Sequence, residues 1–141
     1  MDSKASAVWK GDLKGGSGTI SANSGVLSDA AFTFATRFEG SPGTNPEELV
    51  AAAHAGCFSM ALSNELAKGG TTPDHVSTTA TVTMEPVEGG VAVTKIHLEC
   101  SAKVPGISQA AFDETANGAK TGCPISKLMN AEISLNAVLE S

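Results

Sequence analysis

Arginine is almost missing from this chain of 141 residues: Arg37 stands alone beside eight lysines. A guanidinium stays charged and presents a planar fork of donors, so a solitary arginine is a candidate for one specific task. No basic stretch offsets the net charge of -6. That argues against nucleic acid as a partner, because phosphate binding rests on clustered Lys and Arg. There is no long apolar run either. The longest, Leu49 to Ala53, is followed at once by His54 and is far too short to span a bilayer, so a soluble protein with no membrane partner is expected. Cysteines number three, an odd count, and no charged n-region, apolar h-region and cleavage site opens the chain. A secreted disulfide framework is therefore not expected; a reducing cytoplasm is, where cysteine pairs are more often catalytic or metal-binding than structural. No internal repeat, linker or low-complexity segment appears, and residues 1–141 suit one domain able to bury a core without disulfide staples.

What is present changes period along the chain. Short strand-like runs broken by Gly15-Gly16, Ser24-Gly25 and Ser28-Asp29 predict a meander of three strands, roughly Ala5 to Leu13, Gly18 to Ser24 and Ala31 to Phe38, with Arg37 at the end of the third. Asn45 suits an N-cap, Pro46 the first helical position, and Glu47 and Glu48 the positive end of the dipole, which predicts a helix to about Lys68, ended by Gly69-Gly70. Val76 to Pro86 and Val91 to Val104 alternate around Glu88-Gly89-Gly90 and predict a β-hairpin. In its second strand Thr94, Ile96, Leu98 and Cys100 share a face, which points Cys100 into the core. Ser108 caps a helix from Gln109 to about Lys120, Pro124 restarts a short turn, and Glu132 to Leu139 alternates as a closing strand.

Two cysteines sit in helix-associated contexts. If Pro124 takes the first helical position, Cys123 lies at the N-cap, where unpaired N–H groups favour a thiolate. Cys57 lies mid-helix and gets little direct help from that helix's terminus. Each could instead be a small buried hydrophobe, since buried cysteine is common. His54, three residues before Cys57 on nearly the same face, could serve as a base or join Cys57 and Cys123 as a metal ligand, but no Cys-x-x-Cys knuckle supports zinc. Glu47 and Glu48 have a simple reading as first-turn carboxylates, and Arg37 as a surface charge.

Taken together, Thr36-Arg-Phe-Glu-Gly40, Gly43-Thr-Asn-Pro-Glu-Glu-Leu49, Ala53-His-Ala-Gly-Cys-Phe-Ser-Met-Ala-Leu62 and Gly122-Cys-Pro-Ile-Ser126 resemble the OsmC proteins, relatives of the organic hydroperoxide resistance (Ohr) proteins. His54 and Ile125 are closer to the OsmC branch. The resemblance implies an α+β OsmC-like fold, an interwoven homodimer with antiparallel sheets wrapped around central helices. It implies a Cys-based hydroperoxide reductase with no cofactor and no metal: Cys57 as peroxidatic thiolate, Cys123 as resolving thiol, Arg37 and Glu47 as a supporting charged pair. Its partners would be an organic hydroperoxide and a dithiol reductant of lipoyl type. Glu47 and Cys57 are ten residues apart on one helix, about 15 Å along the axis, so Arg37 and Glu47 are expected to serve the cysteines of the other subunit. Phe38, Phe58, Met60 and Leu62 are expected to favour an apolar peroxide over hydrogen peroxide. A non-enzymatic redox switch or ligand-binding protein with the same thiols is the alternative, and a structural zinc protein a weaker one.

Overall fold

The computed structural model describes residues 1–141, which fall into two compact units, Met1–Leu49 and Val50–Ser141. The first holds a three-stranded antiparallel sheet in the order β1 (Ala5–Lys10), β2 (Ser17–Ala22), β3 (Ala30–Phe32). Trp9 and Phe32 lie 5.2 Å apart, centroid to centroid, above Gly18. A Cβ at Gly18 would come within 2.6 Å of the Phe32 ring and 2.7 Å of the Trp9 ring, so only glycine lets both rings close over the strand.

The expected third strand, Ala31 to Phe38, is cut short. After Phe32 the chain turns into a five-residue helix, α1 (Phe34–Phe38). Its cause is a capping box: the Thr33 hydroxyl accepts the Thr36 N–H at 3.2 Å, and the Thr36 hydroxyl accepts the Thr33 N–H at 2.9 Å. Arg37 therefore sits in the last turn of a helix and not at a strand end.

Helix α2 (Pro46–Lys68) begins as expected, with the Asn45 side chain accepting the Glu48 N–H at 2.8 Å. It ends in a Schellman arrangement: Gly70 takes φ +86°, its N–H reaches the Ala67 carbonyl, and the Thr71 N–H reaches that of Leu66.

The second unit is built on β4 (His75–Val87), β5 (Gly90–Lys103) and β6 (Glu132–Leu139), in that order across the sheet. The β4–β5 hairpin closes through Glu88-Gly89, with a register shift between Thr83 and Met84. An all-antiparallel sheet was expected, but β6 runs parallel to β5. The cause is the connection: α3 (Gln109–Gly122) and α4 (Pro124–Leu128) form a crossover, and a chain that crosses over returns parallel. The α+β class stands with this one pairing changed.

Three stripes meet in the core. Helix α2 buries His54, Phe58, Leu62 and Leu66 at four-residue spacing. Strand β5 buries Ile96, Leu98, Cys100 and Ala102 at two-residue spacing, so Cys100 is a core residue as its register implied. Helix α3 adds Phe112, Ala116 and Ala119. Each large apolar side chain removed from water here is worth about 1.5–3 kcal/mol.

Candidate functional site

The second unit brings together two stretches of chain 66 residues apart. Cys57 projects from α2 toward Cys123, and the two sulfurs lie 2.6 Å apart, both thiols free. Cys123 is the hinge between two helices: its N–H closes α3 onto the Ala119 carbonyl, and it is the N-cap of α4, with Pro124 in the first turn. The expectation of an N-cap thiol thus holds, though α3 runs on to Gly122, two residues further than expected.

Burial and charge treat the two thiols differently. Cys123 is fully buried, which opposes ionisation. Interaction with the Cys57 thiol, with the N–H and hydroxyl of Ser126 and with the Ile125 N–H outweighs that and holds it below the ordinary thiol value. Cys57 moves the other way. Burial pushes it up, the contact with Cys123 adds to the rise, and the Ile125 N–H opposes without reversing it. Cys57 thus receives help from the first turn of α4 and not from its own helix terminus, a contribution invisible in the local sequence.

Below the thiols lies a second pair with the same spacing. His54, three residues before Cys57, and Ser126, three residues after Cys123, face one another with Nε2 to Oγ at 2.7 Å. His54 is fully buried, and burial lowers its pKa, so it is neutral. Ser126 closes the Gly122-Cys-Pro-Ile-Ser126 motif with no role expected of it there; its place at N3 of α4, one helical turn from an N-cap cysteine, was the available signal. No group of three His, Cys, Asp or Glu side chains is arranged to hold a metal ion.

A cavity of about 970 Å³ opens beside Cys57, lined by Met60, Ala61, Glu65, Glu114 and Pro124 among others. Of the four apolar residues expected at the substrate, only Met60 lines it. Phe58 and Leu62 belong to the buried stripe of α2 and are fully buried core, and Phe38 belongs to the first unit. Glu65 and Glu114 add two carboxylates that the apolar expectation left out.

In the first unit, α1 and the start of α2 bring Arg37 and Glu47 into a bidentate ion pair. Nη2 donates to Oε1 at 2.7 Å and Nε to Oε2 at 3.1 Å. Asn45 ties the two segments together by donating from Nδ2 to the Thr36 carbonyl at 3.1 Å. Arg37 also lies 5.2 Å from the Phe38 ring centroid. Glu47 is partly desolvated, which opposes ionisation, but its hydrogen bonds with Arg37 leave the carboxyl below the usual range. The guanidinium is held correspondingly more basic, chiefly by the Glu47 hydrogen bond.

The OsmC-like protein family matches residues 38–137, a span containing Glu47, Cys57 and Cys123. The chain belongs to that family. It is 51% identical to Peroxiredoxin OsmC of Escherichia coli (strain K12) over 138 residues, 98% of this chain and 96% of the relative. It is 31% identical to an organic hydroperoxide resistance protein of Xanthomonas axonopodis pv. citri (strain 306), covering 71% of this chain and 69% of that one. Among solved structures, the organic hydroperoxide resistance protein OhrB of Bacillus subtilis superposes with a TM-score of 0.71 at 27% identity, over 95% of this chain and 97% of the other. The OsmC-like fold class expected from the motifs is therefore the fold of the molecule.

Proposed function

We propose that the chain reduces organic hydroperoxides through a reversible disulfide between Cys57 and Cys123. The peroxidase class follows from OsmC membership and from 51% identity to a peroxiredoxin over almost the whole chain. The observation that carries the finer reading is the pair of free thiols 2.6 Å apart beside an open cavity.

In this reading the Cys57 thiolate attacks the distal oxygen of ROOH. The O–O bond breaks, ROH leaves with one proton, and Cys57 becomes a sulfenic acid. The Cys123 thiolate then attacks that sulfur and expels water, forming the disulfide. A dithiol, of lipoyl type in our reading, reopens it by exchange and is itself oxidised to a disulfide. Cys57 is the thiol that burial and its neighbour push up, so its ionisation calls for a cation. Arg37, oriented by Glu47, supplies it. Those ten residues of α2 between Glu47 and Cys57 give about 15 Å of axial rise, which supports delivery of Arg37 to the Cys57 of a second copy in an interwoven homodimer. Both units then form one functional domain, residues 1–141, in the cytoplasm. No helix is long and apolar enough to cross a membrane.

The test is peroxide consumption with dihydrolipoamide, cumene hydroperoxide against hydrogen peroxide, for the native chain, Cys57→Ser and Cys123→Ser. Repeated turnover that favours the organic peroxide and vanishes in Cys57→Ser is expected. One stoichiometric disulfide without turnover would replace the enzyme with a redox switch.

A further inference from the structure

His54 and Ser126 are a buried polar pair in a core that is otherwise apolar, at 0% and 6% exposure. Burying such groups is costly unless they are hydrogen-bonded, and here the accounting is incomplete: His54 Nδ1 has no partner. A buried N–H without an acceptor costs more than an unmatched acceptor lone pair, which favours the tautomer with the lone pair on Nδ1 and the hydrogen on Nε2. Nε2–H then donates to Ser126 Oγ across 2.7 Å, and the serine's own hydrogen is left to point elsewhere. Its neighbour one helical turn back is Cys123, at the N-cap of α4. The result is a ladder of two rungs, Cys57 to Cys123 and His54 to Ser126, between α2 and the start of α4.

The rungs differ in access. Cys57 is partly exposed and lines the cavity of about 970 Å³, whereas Cys123 is fully buried and does not. An external thiol arriving through that cavity meets the Cys57 sulfur first. Thiol–disulfide exchange is faster when the departing thiol is the more stable thiolate.

We propose that His54 and Ser126 are positioning residues for Cys123, committing the reductive step to attack on Cys57 with Cys123 as the leaving group. This rests on the disulfide cycle proposed above. One thiolate of the dithiol attacks Cys57 Sγ, the Cys57–Cys123 bond breaks, and its electron pair leaves on Cys123, where the Ser126 hydroxyl, fixed by His54, donates to it. The second thiol of the reductant, as its thiolate, then attacks its own mixed disulfide and releases Cys57 as a thiolate. The dithiol loses two electrons and two protons, and the protein disulfide gains both electrons. The lowered pKa of Cys123 agrees with this polarity.

The experiment begins with the disulfide made chemically with diamide, so that it needs no peroxide activity. Brief treatment with 2-mercaptoethanol, acid quench, alkylation and peptide mass spectrometry locate the adduct. Expected is mercaptoethanol on Cys57 and the alkyl label on Cys123; the reverse pattern overturns the proposal. Ser126→Ala and His54→Leu should slow opening by dihydrolipoamide about fivefold relative to their rate of Cys57 oxidation, and His54→Gln, which keeps an N–H near the Nε2 position, should recover most of that ratio. In a Cys57→Ser background, Ser126→Ala should raise the Cys123 titration followed by thiolate absorbance by about one unit. Equal slowing of both half-reactions with an unmoved titration would mean a structural role only and would sink the proposal. Failure of diamide to join Cys57 to Cys123 would instead overturn the disulfide cycle itself.

Discussion

Between Met1 and Leu49 only Gly18 is fully buried, whereas Val50–Ser141 contains every buried hydrophobic side chain of the molecule. The first unit has regular strands, capped helical turns and a well-made ion pair, yet no core of its own. Strand β1 is exposed along almost its whole length, and Val8, Leu13 and Val26 stand in solvent. Three strands need an apolar face packed on something to be stable. The second unit meets that need internally, with helical and sheet stripes that interlock. The contrast teaches that good local structure and a stable unit are separate achievements.

The largest effect should come from the core. Phe112→Ala in the second unit should cost about 3–5 kcal/mol in denaturant unfolding, while Val26→Ala, at 82% exposure in the first, should stay within about 0.5 kcal/mol. Similar costs at both sites would erase the distinction. Next is a change that separates function from stability. Arg37→Ala should lower turnover on cumene hydroperoxide about 10²-fold, the scale of losing one charge-stabilising donor, while costing less than about 1 kcal/mol of stability because the pair is partly exposed.

The smallest effects should divide the units by pH. His54 is held neutral by burial, so its folded pKa lies below its ordinary 6.5. Its contribution to stability is complete above about 6.5 and is lost as the pH falls from there toward the folded value. Glu47, depressed by Arg37, contributes above its ordinary 4.5 and loses that as the pH falls through its lower folded value. Thermal midpoints against pH should therefore lose the slope below 6.5 in His54→Gln, and only the slope below 4.5 in Glu47→Gln. A single shared window would contradict the assignment.

Much of this was legible in the residues because the signals are local. Asn45-Pro46 and Gly69-Gly70 mark α2 by capping chemistry, and the alternation in β5 placed Cys100 inward. Helix α1 escaped notice because its capping box is made of Thr33 and Thr36, residues equally at home in a strand. The parallel seating of β6 escaped because strand alternation says nothing of direction. Phe58 and Leu62 read as a substrate wall only until their place on α2 turned them into the core. The partnership of His54 with Ser126 spans 72 residues and needed the fold to bring it about.

The most direct test of the central claim, that Arg37 of one chain serves Cys57 of another, is subunit complementation. Arg37→Ala protein, about 10²-fold impaired, and Cys57→Ser protein, inactive, are mixed, dissociated and reassociated, and peroxide turnover is measured. In a two-fold dimer, half of the reassociated pairs are mixed and each carries one complete site, so about a quarter of native activity should return. No recovered activity in demonstrated mixed dimers would contradict the account and return Arg37 to its own chain.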